Sequence, residues 1–125
     1  MIRRKTGNII NVASISGQVT HPRNDQAHYY SAKAGIIMLT KALAAEWAEY
    51  NIRVNCISPG LFRTPLIDKF FEDHEDQHQL WIAHTPMRRI GEPGELSGAV
   101  VFLASDASSY MTGANLIVDG GYTIC

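Results

Sequence analysis

The stretch from about Gln26 to Tyr50 contains no proline and is rich in Ala, Leu, Ile, Met, Lys and Glu, which favours one long helix. Short β-branched runs flank it. Ile9-Ile10-Asn11-Val12-Ala13 precedes it after Gly7-Asn8, and Ile52-Arg53-Val54-Asn55-Cys56-Ile57-Ser58 follows it. Such short apolar runs suit strands buried on both faces. Two strands joined by a helix of this length form a crossover unit and lie parallel in one sheet. Asn24 or Asp25 is placed to cap the helix, Asn51 ends it, and Pro59-Gly60 stops the second strand.

Beyond Gly60 the pattern continues in kind. Residues 61–84, mixed in charge and aromatics, predict two short helices, and 86–91 predicts a turn. Pro93 and Glu95 open a third helix that runs to Leu103 or Ala104. A turn at 108–113 leads to a last strand, Ala114 to Asp119, closed by Gly120-Gly121. The class is α/β, with a parallel sheet of three strands and crossover helices.

The long helix carries apolar residues over more than one face: Ile36, Ile37, Met38, Leu39, Leu43 and Trp47, with alanines keeping other parts narrow. A helix apolar nearly all round is covered on two sides. One side faces the sheet. The other is expected to face a second subunit, giving a homo-dimer or homo-tetramer through helix 26–50 and the C-terminal strand.

Composition narrows the function classes. Of 125 residues 46% are apolar, and eleven Lys+Arg face twelve Asp+Glu, so a dedicated nucleic-acid binder is disfavoured. No apolar run reaches the roughly 18 residues of a membrane span, and the basic start, Met1 to Thr6, does not read as a signal peptide. Cys56 and Cys125 suggest neither a disulfide framework nor a metal site, and a cytoplasmic location is expected.

In open parallel sheets ligands bind outside the carboxyl ends of the strands. Ser14 follows the first strand there, Pro59-Gly60 ends the second, and Tyr29 and Lys33 sit in the first turns of the helix between them. Four residues apart, Tyr29 and Lys33 share a helix face. A free phenol has a pKa of about 10, and a neighbouring cation favours its ionised form, so the pair suits general acid/base work. Ser14 is placed to hydrogen-bond the reacting oxygen. Tyr30 is expected to pack, and Asn11 and Asn55 to bond backbone near the strand ends.

Asn11-Val12-Ala13-Ser14, Tyr29-x-x-x-Lys33, and Asn55 to Gly60 with Thr64 together resemble the short-chain dehydrogenase/reductase family. The resemblance runs from Gly7 to Gly121 and includes Met111-Thr112-Gly113 and Val118-Asp119-Gly120-Gly121. It implies a Rossmann-type doubly wound sheet, an NAD(P) cofactor, and interconversion of an alcohol and a carbonyl. On that basis Tyr29 is the proton donor and acceptor, and Ser14 orients the substrate, with Ser16 a weaker candidate for that role. Lys33 would hold the nicotinamide ribose and favour the Tyr29 phenolate. Pro59, Gly60, the Phe62 backbone and the Thr64 hydroxyl would meet the cofactor, and residues 61–84 would form a substrate lid. The segments Ala45 to Asn55 and Thr85 to Gly91 look most like members acting on sugars, polyols and sugar acids, such as gluconate 5-dehydrogenase and sorbose or mannitol dehydrogenases.

His74-Glu75-x-x-His78 matches the H-E-x-x-H zinc-protease pattern. Glu72, Asp73 and Asp76 crowd it with charge, so the expected reading is a solvated face of the lid and no metal. His21, His28 and His84 read as loop or packing residues, His84 within possible reach of substrate. None of the ten glycines makes the Gly-rich turn that seats a pyrophosphate. Gly94 and Gly98 fall inside the third helix. The resemblance therefore implies the C-terminal half of one dehydrogenase domain, without its dinucleotide-binding half, leaving a sheet edge exposed. The contrasting expectation is a non-catalytic fragment that acts only as an oligomerisation or interaction module.

Overall fold

β2 (Ile52–Pro59) is the axis on which the other elements are placed. The computed structural model describes residues 1–21 and 25–124. β1 (Gly7–Val12) pairs with β2 in parallel from Gly7↔Ile52 to Val12↔Ile57, and β3 (Asn115–Val118) pairs on its other edge from Cys56↔Asn115 to Pro59↔Val118. The order is β1-β2-β3, the parallel sheet expected of strands joined by helices.

Alternation along β2 sends its two sets of side chains to opposite faces. Ile52, Val54 and Cys56 face α1 (Ala27–Trp47), where Ala44 packs with Ile52 and Val54, and Ile37 with Ala13 and Cys56. Arg53 belongs to the other set and reaches α4 (Ser97–Ala104). Its guanidinium donates to the carbonyls of Leu103 (3.1 Å) and Ser105 (3.2 Å) and to Ser108 Oγ (2.9 Å). A cation at a helix C-terminus satisfies carbonyls that have no partner within the helix. The sheet is thus sandwiched, α1 on one face and α4 on the other.

Buried polar side chains join these layers. Asn11 Nδ2 donates to Thr40 Oγ1 (2.9 Å), and Thr40 Oγ1 donates back to the Ile36 carbonyl (2.8 Å). Asn11 was expected to bond backbone; it bonds a side chain because α1 passes directly over it. Asn55 does bond backbone, from Nδ2 to the Met111 carbonyl (2.8 Å) and at Oδ1 from the Ala114 N–H (3.0 Å). Those bonds, with Gly113 N–H to the Val54 carbonyl at 2.7 Å, stitch the turn before β3 onto β2.

Four expectations need correction. β1 is only half buried and Val12 is 59% exposed, since among the described residues β1 pairs on one side alone, with β2. The long helix is α-helical only to Trp47; Ala48–Tyr50 tightens to a 3₁₀ turn, which Asn51 ends with φ 54°. Its N-cap is Gln26, without a side-chain bond, so Asp25 does not cap it; Asn24 lies outside the described residues. The third helix also starts late, its first turn Pro93–Leu96 being 3₁₀, where Glu95 accepts the Glu92 N–H (2.8 Å) and a two-pronged bond from Arg89.

The far face of α1 is uncovered. Gly35, Met38, Leu39, Ala42 and Ala45 are exposed there, Met38 at 63%. Among the described residues no helix is long and apolar enough to cross a membrane.

Asn55 is fully buried, so Asn55→Ala strands the Ala114 N–H and removes the amide bond to Met111. The expected cost is about 2–3 kcal/mol in urea denaturation of the intact protein. A loss below about 1 kcal/mol would contradict this role.

Candidate active site

β1 delivers the chain to Ser14, whose extended backbone starts the 3₁₀ turn Ile15–Gly17; its Oγ accepts the Ser16 N–H at 3.1 Å. Gly17 brings that turn against α1. A Cβ built there would lie 2.8 Å from the carbonyl carbon and oxygen of Lys33, so any side chain would push loop and helix apart. Lys33 leans back over the end of β1. Its Nζ donates to the Val12 carbonyl at 3.1 Å and lies 5.5 Å from the centre of the Tyr29 ring. Tyr29, one turn earlier, is 37% exposed.

These residues open onto a cleft of about 800 Å³ that Ser14, Ser16, His21 and Tyr29 line on one side. Pro59, Gly60 and Phe62 line another part, α2 (Pro65–Asp73) contributes Leu66 and Phe70, α3 (Glu75–His84) contributes Trp81, and His74 between them adds to the lining. The volume suits a small organic ligand among apolar walls with few polar groups. The structure thus gathers Ser14, Tyr29, Lys33, Pro59, Gly60 and Phe62 at the carboxyl edge of β1 and β2.

The expected cofactor-loop residues also have work within the protein. A Cβ on Gly60 would meet Asp119 Cα at 2.7 Å, so glycine lets the chain leave β2 beside the end of β3. Phe62 bridges in parallel to Gly91. Thr64 caps α2, its Oγ1 accepting the Ile67 N–H at 3.3 Å.

Histidine placement departs most from the sequence reading. His21 is buried, with Nε2 2.7 Å from Ser16 Oγ and Nδ1 3.1 Å from the Tyr122 hydroxyl. Its ring lies 4.4 Å from that of Trp81, and its backbone N–H donates to the Tyr30 hydroxyl at 3.2 Å. Burial lowers the His21 pKa. Tyr30 is therefore a hydrogen-bonding residue as well as a packing one. No local signal marks this cluster, because Tyr122 is 101 residues away in sequence. The one hint is the closing Val118-Asp119-Gly120-Gly121. Gly120 and Gly121 take φ of 63° and 90°, and Asp119 accepts the Gly121 and Thr123 N–H groups at 2.8 Å, which folds Tyr122 back.

His74 and His78 are not a purely solvated face. His74 sits between α2 and α3, stacked on Phe70 at 4.4 Å, and His78 stacks on Phe71 at 4.7 Å. Among the described residues, no three His, Cys, Asp or Glu side chains gather as metal ligands. His84 is exposed and bonds the Leu80 carbonyl through Nδ1.

A family described as enoyl-(acyl carrier protein) reductase matches residues 1–123, and the chain belongs to the short-chain dehydrogenase/reductases. It is 48% identical over 118 residues to a ribulose-forming D-arabinitol 2-dehydrogenase of Candida tropicalis, covering 94% of this chain and 42% of that protein. It is 44% identical over 124 residues to an L-tagatose-forming galactitol 2-dehydrogenase of Cereibacter sphaeroides, covering 99% and 48%. A solved gluconate 5-dehydrogenase of Burkholderia cenocepacia J2315, in complex with NADP and tartrate, superposes with TM-score 0.91 at 39% identity, covering 99% of this chain and 48% of that one. The chain spans somewhat under half the length of these relatives.

Proposed function

We propose that the intact protein carrying this chain is an NAD(P)-dependent dehydrogenase that interconverts an alcohol and a carbonyl on a polyol, sugar or sugar acid. The observation that carries this reading is Lys33 on the Val12 carbonyl, one turn below Tyr29 on the cleft shared with Ser14. The resemblance to polyol dehydrogenases supports the substrate class.

The residues present suit the nicotinamide end of the cofactor: a phenol and an ammonium on one helix face, beside a cleft that also holds Pro59 and Gly60. Lys33, Pro59, Gly60, the Phe62 backbone and Thr64 are the groups assigned to it. When bound, the nicotinamide supplies or accepts the hydride. Tyr29 completes the chemistry. In reduction its hydroxyl proton goes to the carbonyl oxygen as the carbon gains hydride; in oxidation the phenolate takes the alcohol proton as the carbon loses hydride. Ser14 donates a hydrogen bond to that oxygen and holds it toward Tyr29. The interaction-module alternative draws no support from relatives that are named as dehydrogenases.

The same proposal assigns the uncovered face of α1 to a second copy of the chain, in a homo-dimer or homo-tetramer. Leu39 is 51% exposed on that face. Sedimentation velocity of the intact protein should show Leu39→Glu shifted to monomer; an unchanged assembly would remove α1 from the interface.

Removing the acid/base should cost about 100-fold or more in kcat, the usual size of such a contribution. Tyr29→Phe in the intact protein is therefore expected to lose turnover while NADH or NADPH affinity, read by calorimetry, stays within about tenfold. Undiminished turnover would overturn the assignment.

A further inference from the structure

The proposed chemistry uses Ser14 and leaves Ser16 unexplained, although Ser16 is buried at the wall of the same cleft. Its backbone N–H is taken by Ser14 Oγ, and its own hydroxyl is 2.7 Å from His21 Nε2. The opposite ring nitrogen is 3.1 Å from the Tyr122 hydroxyl. Ser16, the nearby His21 and the distant Tyr122 thus form one hydrogen-bonded row that ends at the cleft. Trp81 of α3, against the His21 ring, and Tyr30 of α1, at the His21 N–H, hold the row in place.

Burial keeps the His21 ring neutral near neutral pH, so one nitrogen donates and the other accepts. Two proton arrangements satisfy the row. In one, Tyr122 donates to Nδ1, Nε2–H donates to Ser16 Oγ, and the Ser16 O–H is left to donate into the cleft. In the other, Ser16 donates to Nε2, Nδ1–H donates to Tyr122, and Ser16 Oγ accepts from the cleft. A ligand hydroxyl, itself both donor and acceptor, satisfies either arrangement; a C–H satisfies neither.

We propose that Ser16, held by His21 and Tyr122, binds a second oxygen of the substrate and selects polyols over simple alcohols. His21 and Tyr122 are positioning residues in this account, and the account rests on the dehydrogenase reading above. A substrate that lacks the second oxygen leaves the cleft-facing donor or lone pair of the Ser16 hydroxyl unmet, and that lost bond discriminates between the two alcohols.

The test compares butane-2,3-diol with butan-2-ol on the intact protein, each with NAD⁺ and NADP⁺, and reads the ratio of their kcat/KM values. The native protein is expected to favour the diol by about tenfold or more, and Ser16→Ala to lower that ratio by about tenfold. His21→Leu should do the same. His21→Gln, whose amide can still reach Ser16, should restore the ratio to within about threefold of native, a rescue that a merely structural histidine would not show. A native protein without preference, a ratio unchanged in Ser16→Ala, or equal losses on both alcohols would overturn the proposal. Tyr29→Phe separates the two levels. If turnover depends on Tyr29 but the ratio ignores Ser16, only this inference fails; if turnover ignores Tyr29, both fail.

Discussion

The contact between Gly17 and the backbone of Lys33 is the constraint on which the site depends. The groups proposed for proton transfer, Ser14, Tyr29 and Lys33, lie on two pieces of chain: the turn after β1 and the first turns of α1. With only hydrogen at the Gly17 Cα, the turn comes within van der Waals contact of the helix, and Lys33 folds back onto the Val12 carbonyl. The Asn11–Thr40 bond and the packing of Ile37 and Ala44 fix the rest of α1 over the same strands. Strand, turn and helix are thereby packed as one unit. A geometry for proton transfer is useful only if it is held in place before substrate arrives.

A second set of bonds ties that body to more distant chain. His21 joins the turn to the C-terminal segment through Tyr122 and to α3 through Trp81. The glycines at 120 and 121, both with positive φ, and the Asp119 carboxylate shape that return. The cleft wall therefore draws on residues from both ends of the described chain. Its opposite wall is looser: Leu66 is 78% exposed and Phe70 is 43% exposed on α2, apolar surface beside a cleft with room for a ligand.

Fold class and the gathering of the candidate residues at one sheet edge were legible because they follow local rules. β-branched runs and a proline-free helix announce a crossover, and spacing by four puts Tyr29 and Lys33 on one face. The second strand stands out in sequence because β2 is central and buried along nearly its whole length. β1 resembles β2 in composition, yet among the described residues it pairs on one side only and Val12 is exposed. The 3₁₀ ends of the helices escaped periodicity, which blurs at termini. His21 reads as a loop or packing residue and is buried as such, but its partners were hidden, because Tyr122 and Trp81 come near only when the chain is folded. Arg53 was hidden for the same reason, since nothing local says that its guanidinium will meet the end of α4.

Ser14 and Tyr29 are proposed to act together on one oxygen, held there by the seating of α1 on β1 and β2. The measurement that decides this is a double-mutant cycle in kcat/KM on the intact protein. If the two serve one proton transfer, Ser14→Ala should add less than about threefold to the loss already caused by Tyr29→Phe, although alone it costs about tenfold or more. Losses that multiply independently would contradict the shared site.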